Sequence, residues 1–454
     1  MTEAQRVDVV VVGLGVGGEE VAGKLAEAGL SVVGIEGNLV GGECPYWGCI
    51  PSKMMIRAAN ALAETRRVDE LAGHAAATPD WSMVATRIRE EATDDWDDKV
   101  AVDRFTDKGG RFVRGYGRLV GPGRVAVGDQ VFQAGRAVVL GTGSAPAVPP
   151  IDGLAGTPYW TNRQAIEVTE LPRSLLVLGG GAIGLELTQV FARFGVRVEV
   201  IEGSDRVLAL EEPESSALVA AALTDDGVRL RTNARAERVE HDGQTFTVRL
   251  AGGGSATGER LLVATGRRSD LTDLGLDTVG LDPRARTLTT DDRMRVADGI
   301  WAVGDVTGHG AFTHVAMYQA GVAIRDILGR GGPGADYRAL SRVTFTDPEI
   351  GAVGLTERQA RDRGLTVRIG HTDLASSARG WIHKAGNAGF VKLIVDADRD
   401  VLVGATSAGP VGGEVLGWLT VAVHAEVPLD RLRNMIYAYP TFHRAIKDAL
   451  RNVR

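Results

Sequence analysis

Val7-Asp8-Val9-Val10-Val11-Val12-Gly13-Leu14-Gly15-Val16-Gly17-Gly18 carries an apolar run that stops at a cluster of glycines. A continuous apolar run marks a parallel strand buried on both faces. Gly13, Gly15 and Gly18 follow the G-x-G-x-x-G spacing. A helix-compatible stretch then runs to Ala28, and a second strand over 31–35 ends at Glu36. In such a unit the glycines permit a tight turn and bring a pyrophosphate close to the helix N-terminus. The acid closing the second strand binds a ribose hydroxyl pair.

The unit recurs. A strand over 174–178 leads into Gly179, Gly181 and Gly184, and Glu202 follows the next strand, 197–201. Gly13 to Gly179 and Glu36 to Glu202 share one offset, 166 residues. A single glycine fingerprint is weak evidence; two with the same spacing to an acid predict two dinucleotide sites. Pro and Gly clusters place boundaries. They lie at 145–150, near 265–266, and in the loose linker 329–334. The expected regions are 1–150 (completed by 267–335), 151–266 and 336–454. The last alternates strands, such as 342–345 and 390–395, with helices, such as 413–424, and reads as α+β. The charged stretch 81–108 reads as helical.

The 454 residues contain 60 Gly, against roughly 7% in average proteins, and an apolar fraction of 44% that supports packed cores rather than disorder. The formal charge of −7 argues against nucleic acid as a partner. No apolar run reaches the length of a membrane span. The polar start, Met1 to Arg6, lacks a signal-peptide core, so a cytoplasmic location is expected. There, two Cys are catalytic or metal-binding sooner than a structural staple.

Both Cys fall in Gly41-Gly42-Glu43-Cys44-Pro45-Tyr46-Trp47-Gly48-Cys49-Ile50-Pro51-Ser52-Lys53, just past the first acid. A closed zinc site needs four ligands, and here are two thiols with no His nearby. Four residues separate the thiols, not the two of a C-x-x-C pair. Pro51 and Lys53 predict a helix starting beside Cys49, which lowers that thiol's pKa.

With this segment the sequence closely resembles the pyridine nucleotide-disulfide oxidoreductases, the flavoproteins that include dihydrolipoamide dehydrogenase, glutathione reductase and mercuric reductase. The resemblance spans essentially the whole chain. Val139-Leu140-Gly141-Thr142-Gly143-Ser144-Ala145-Pro146 and Leu262-Val263-Ala264-Thr265-Gly266-Arg267 resemble the two domain-crossing motifs. Ile300-Trp301-Ala302-Val303-Gly304-Asp305 resembles the second FAD motif, and Phe345-Thr346-Asp347-Pro348-Glu349-Ile350-Gly351 the opening of the dimerisation domain.

The resemblance implies an α/β fold of two Rossmann-like domains plus an α+β dimerisation domain. Residues 1–150 with 267–335 would bind FAD, 151–266 NAD(P)H, and 336–454 would form the interface of a homodimer whose active site is shared between subunits. Cofactor positions would be Gly13, Gly15, Gly18, Glu36, Gly42, Lys53, Thr142, Gly143, Gly304 and Asp305, with Gly179, Gly181, Gly184, Glu202 and Gly266. Cys49 would be the charge-transfer thiol and Cys44 the interchange thiol of a redox-active disulfide. Lys53, paired with Glu186, would stabilise the reduced flavin. Glu202 repels a 2′-phosphate and favours NADH, with Arg206 nearby as a partial offset.

The chain departs from the family at its C-terminal motif. Disulfide-reducing members carry His-Pro-Thr-x-x-Glu, whose His serves the interchange thiol as acid and base. Here the stretch is Tyr439-Pro440-Thr441-Phe442-His443-Arg444. Tyr replaces the His and Arg replaces the Glu. A positioned His contributes about 10²–10⁴-fold, and Tyr, with a reference pKa near 10, is a poor base at neutral pH. His443, four residues after Tyr439, would share its helical face and serve as a substitute. The chain also lacks a third Cys, so no C-terminal thiol relay is expected. Pro45, Tyr46 and Trp47 replace a small trio, and the two aromatics read either as a wall for a flat substrate or as a surface packed against the neighbouring subunit. His314 reads as a structural residue at a helix start.

The expected function is electron transfer from NAD(P)H through FAD to a small-molecule acceptor that needs little thiol acid–base help: a quinone, a metal ion or an unusual disulfide. The alternatives are a disulfide reductase using His443 or Tyr439 as base, and a biosynthetic flavoenzyme using the Cys pair covalently. A redox sensor that binds FAD and turns over little is the reading from a different class.

Overall fold

A computed structural model describes residues 4–454, so the first three residues of the polar start lie outside the described residues. The described chain divides into two compact units. One takes the chain up to Pro51 with Thr86–Ala147 and Arg267–Asp336; the other takes Ser52–Ala85, Val148–Gly266 and Tyr337–Arg454.

In the first unit the strand Gln5–Val12 lies at the centre of a mainly parallel sheet, between Gln130–Leu140 and Val32–Glu36. Ile300–Ala302 and Arg111–Arg114 extend the parallel set on either side. Val9, Val10 and Val11 are fully buried, as the unbroken apolar run requires. Helices Val16–Glu27 and Thr313–Ile327 bury Val21, Leu25, Ala320 and Ala323 in the same core as Val9 and Val11. The two helices approach closely at Gly17, where a Cβ would stand 3.2 Å from Ala316. The two crossing motifs pair with each other, Ala145–Pro146 antiparallel to Arg267–Arg268.

The second unit repeats the strand order. Arg260–Val263, Ser174–Leu178, Arg197–Ile201 and Arg229–Arg231 form a parallel sheet, beside a three-stranded antiparallel sheet over Ala236–His241, Phe246–Leu250 and Ser255–Gly258. Its C-terminal part is a five-stranded antiparallel sheet in the order Ser341–Thr344, Glu349–Gly354, Val401–Gly409, Phe390–Asp396, Val367–Asp373. Helices Gly412–His424 and Ala445–Arg451 bury Leu416, Leu419, Ile446 and Leu450 with Val391, Leu393 and Val395 of that sheet. The charged stretch 81–108 is helical over Trp81–Arg87, Ile88–Ala92 and Lys99–Thr106. Trp81 anchors its start on Phe191 and Phe194 and donates to the Val168 carbonyl at 2.8 Å.

One buried charge cluster sits in the second unit. Lys392, 5% exposed, meets Glu212 at 2.9 Å, Glu214 at 2.8 Å and Glu357 at 3.0 Å. Burial alone would push the ammonium down, but the three carboxylates outweigh it and hold the pKa above the usual lysine range. Removing the cation would strand the carboxylates, Glu212 being almost fully buried. Lys392→Met is expected to destabilise the second unit by about 3–5 kcal/mol. The measurement is urea unfolding, where a lower midpoint at unchanged slope reports stability alone.

Candidate functional site

The two glycine loops have the same geometry. Gly13, at φ +89°, and Gly179, at +108°, adopt a backbone that disfavours side chains, and a Cβ on either would lie 2.4 Å from the carbonyl of Gly141 or Ala264. A Cβ at Gly18 or Gly184 would strike the carbonyl of Gly13 or Gly179. Gly15 and Gly181 differ from these: each is the N-cap of its helix, no side chain caps it, and a Cβ would meet nothing within 4 Å. Each loop therefore leaves open space over helix N–H groups that lack an acceptor, the cradle a pyrophosphate requires. These residues fit a dinucleotide in each unit.

The acids match too. Glu36 accepts the Leu14 N–H at 2.8 Å and the Asn38 N–H at 2.7 Å. Glu202 accepts the Gly180 N–H at 2.5 Å and the Ser204 N–H at 2.6 Å. Each carboxylate is thus fixed beside its loop by two backbone N–H groups. The expectation that Arg206 offsets Glu202 is corrected. Its guanidinium donates to the carbonyls of Leu208, Ala209 and Glu211 and to Ser216, so it is committed within its own loop.

The thiol loop belongs to the first unit. Cys44 lies on the short helix Glu43–Tyr46, and Cys49 begins the helix Cys49–Arg67, as Pro51 and Lys53 predict. Gly48 lets the chain fold back, since its Cβ would stand 3.0 Å from the Glu43 carbonyl. The two thiols are not joined in a disulfide. The Thr313 hydroxyl is 3.3 Å from Cys49 Sγ and also bonds Cys44. Its hydrogen bond with Cys49, and then burial, push the Cys44 thiol well above the usual thiol range. Cys44 is therefore protonated at neutral pH and needs a base to act as a nucleophile.

Several residues outside the motif hold this loop. Asp98 accepts the Val40 N–H at 2.7 Å and pairs with Arg114 at 2.6 Å. Arg267 donates to the Ser144 hydroxyl at 2.9 Å and its carbonyl at 2.6 Å, and lies 3.5 Å from Glu43. Ser144 in turn donates to Asp305 at 2.5 Å. The Gly304 N–H donates to the buried Gln319 at 2.7 Å. Gly42 and Gly143 have φ of +70° and +67°, and Thr142 lies between Gly141 and Gly143 in the first crossing. In the second crossing, Gly266 has φ +112° and open space around it. Tyr46 is buried, which corrects the aromatic wall: only Trp47, tilted against it at 5.8 Å, is partly exposed. His314 is the second residue of its helix, stacked on Phe312 at 5.3 Å, as a structural role implies.

In the second unit Glu186 is 7% exposed and accepts from Lys53 at 2.9 Å and from the Phe345 N–H at 2.8 Å. Lys53 Nζ also stands 4.7 Å over the Phe345 ring. Beyond it, Asp347 takes Arg67 at 2.7 Å and Arg193 at 2.9 Å, while its N–H donates to Gln189 at 2.7 Å. The Phe345–Asp347 segment is thus docked on the helix Ala182–Arg193. A lysine ammonium is held one helical turn beyond Cys49, with its orientation set by a buried carboxylate.

The C-terminal motif differs from its expected form. Tyr439 lies in a turn, and the helical turn Phe442–Arg444 begins after it, because a residue before proline is disfavoured from helix. Tyr439 and His443 therefore share no helical face, which corrects that expectation. Tyr439 is 69% exposed, with the Arg444 guanidinium 5.5 Å from its ring centroid; Arg444 also pairs with Asp448 at 3.4 Å. His443 stacks on Trp418 at 5.1 Å and 8°, with Nε2 3.4 Å from the Thr441 hydroxyl. Burial pushes its imidazole down. It lines a cleft of about 900 Å³ with Trp418, Phe442, Arg379 and His383.

The chain matches the family model described as pyridine nucleotide-disulphide oxidoreductase over residues 7–320 and the dimerisation domain of that family over residues 340–450. A dihydrolipoyl dehydrogenase of Thermus scotoductus is 32% identical over 459 residues, covering 97% of this chain and 96% of that protein. A mercuric reductase of Streptomyces lividans is 32% identical over 455 residues, covering 97% and 94%. The structure of the HOCl-induced flavoprotein disulfide reductase RclA from Escherichia coli, solved as a Cu(II) complex, superposes with a TM-score of 0.87 at 26% identity, covering 98% of this chain and 99% of that one.

Proposed function

The chain belongs to the pyridine nucleotide-disulphide oxidoreductase family, and from that premise we propose a reductase that feeds an acceptor needing no proton delivery at its thiol pair. The enzyme is an FAD- and NAD(P)H-dependent oxidoreductase. The observation that carries the finer reading is the C-terminal motif, where a guanidinium over a phenol ring replaces an imidazole oriented by a carboxylate.

When bound, FAD supplies the two-electron relay between the nicotinamide and the thiol pair. The chain's own residues do the rest. The uncapped helix ends at Gly15 and Gly181 receive pyrophosphates, and Glu36 and Glu202 accept ribose hydroxyls. Lys53, held by Glu186, supplies a fixed positive charge. Cys44 and Cys49 cycle between disulfide and dithiol, taking up two electrons and two protons. Thr313 holds both thiols within one hydrogen-bond network. Exposed Val421, Trp418 and Ile436, the last 94% exposed, support a homodimer built through the C-terminal part.

A quinone, a metal ion or an unusual disulfide suits a pair without a base. A soft metal ion has independent support: two adjacent thiols are soft ligands, one relative is named a mercuric reductase, and RclA is a Cu(II) complex. Anaerobic titration with NADH followed by a screen of quinones, metal ions and small disulfides tests the reading. Turnover of dihydrolipoamide or glutathione disulfide at the rate of dyad-bearing relatives would overturn it.

NADH is the proposed donor, because Glu202 is fixed in place by two N–H groups and Arg206 is committed elsewhere. For Glu202→Gln, NADH kcat/KM is expected to fall by about 10-fold, the cost of a weakened hydrogen bond to a charged group, while NADPH kcat/KM rises. Steady-state kinetics with both donors decides it. A parent enzyme that prefers NADPH refutes the assignment.

A further inference from the structure

Tyr116 is 77% exposed, and its hydroxyl makes no hydrogen bond among the described residues. Its ring nevertheless has a defined place. A Cβ on Gly37 would lie 2.5 Å from the ring, so the phenol packs directly over the Gly37 backbone. Gly37 follows Glu36, whose carboxylate is the ribose acceptor of the first unit. Tyr116 arrives there because Arg111–Arg114 pairs with Val32–Glu36 in parallel, and the Gly115 N–H closes the edge on the Glu36 carbonyl at 2.9 Å. An exposed aromatic face thus stands at the carboxyl end of the parallel sheet, where ligands of such folds bind.

The second unit is an internal comparison. Gly203 stands to Glu202 as Gly37 stands to Glu36, yet a Cβ on Gly203 would meet nothing within 4 Å. The corresponding strand, Arg229–Arg231, runs on to Ala234, whose N–H meets the Glu202 carbonyl at 2.9 Å as Gly115 meets Glu36, and then to Arg235, with no aromatic residue. The two sites share phosphate loops and acids. They differ in this ring.

We propose that Tyr116 is an adenine-stacking residue that makes the first dinucleotide site the tight one, so that FAD is retained while the nicotinamide dinucleotide exchanges. The inference rests on the reading that FAD occupies the first unit. A base attached to the ribose held by Glu36 lies against the Tyr116 face, and stacking of a base on an aromatic ring is sequence-tolerant and strong enough to set retention.

The test is FAD release from holoenzyme on dilution, followed by the fluorescence of free flavin. Tyr116→Ala is expected to weaken FAD binding by roughly 10- to 100-fold, Tyr116→Leu by nearly as much, and Tyr116→Phe hardly at all. NADH affinity is expected to be unchanged in all three. FMN, which has no adenine, is expected to bind parent and Tyr116→Ala alike. Parent-like FAD retention in Tyr116→Ala overturns the proposal, as does an equal loss of FMN and FAD. A parent protein that binds no FAD refutes the family-based reading instead. Because Tyr116 is exposed and Gly37 keeps its backbone, folding is checked by the unchanged NADH site.

Discussion

Cys49→Ser is expected to lower NADH-driven reduction of the acceptor by roughly 10³–10⁶-fold, the range seen when a covalent participant is deleted. The reason is positional. Cys49 opens the helix Cys49–Arg67, meets the Thr313 hydroxyl at 3.3 Å, and is the hydrogen-bond partner that pushes Cys44 upward. Cys44→Ser removes the outer thiol and is expected to cost a comparable factor, since neither thiol alone can cycle two electrons through a disulfide. The long-wavelength absorbance band reporting a Cys49 thiolate should develop on anaerobic NADH titration of the parent, persist in Cys44→Ser and vanish in Cys49→Ser. Full acceptor turnover by Cys44→Ser would overturn the thiol route and leave direct reduction of a quinone as the activity.

Much of the fold is legible in the sequence because its determinants are local. The strand, glycine and acid signals around Gly13 and Gly179 lie within about 30 residues, and the structure repeats them down to the two N–H groups on each acid. The supports of the site come from distant segments. Asp98 reaches Val40, Gln319 reaches Gly304, and Thr313 reaches both thiols, and none carries a pattern of its own. Thr313 reads as an ordinary helix-start residue beside the more conspicuous His314. Arg206 shows the opposite error. Its closeness to Glu202 in sequence suggests a shared ligand, but the loop turns its guanidinium onto three carbonyls. Tyr46 likewise follows Cys44 by two residues and yet points into the core, because a short helix turns it there.

Restoring the dyad is expected to raise dihydrolipoamide turnover. Cys44 is held as a thiol, so reaction with a disulfide or dithiol substrate requires a group that moves its proton. In Tyr439→His with Arg444→Glu, an imidazole oriented by a carboxylate would take that place, and dihydrolipoamide turnover should rise by about 10²–10⁴-fold. The single variants should fall far short of the product of their effects. Tyr439→His alone leaves the guanidinium, now 5.5 Å from the Tyr439 ring, beside the new imidazole, where a cation opposes its protonation. Arg444→Glu alone orients nothing and sets a carboxylate near Asp448, which keeps Arg451 at 3.3 Å. A coupling of that kind is the signature of two residues acting as a unit. The gained rate should also show a pH limb near the ordinary imidazole pKa, about 6.5, absent from the parent. If the folded double variant, with FAD bound and its thiols reducible by NADH, turns over dihydrolipoamide no faster than the parent, then the missing dyad is not what separates this enzyme from its disulfide-reducing relatives, and the barrier lies in the shape of the acceptor site.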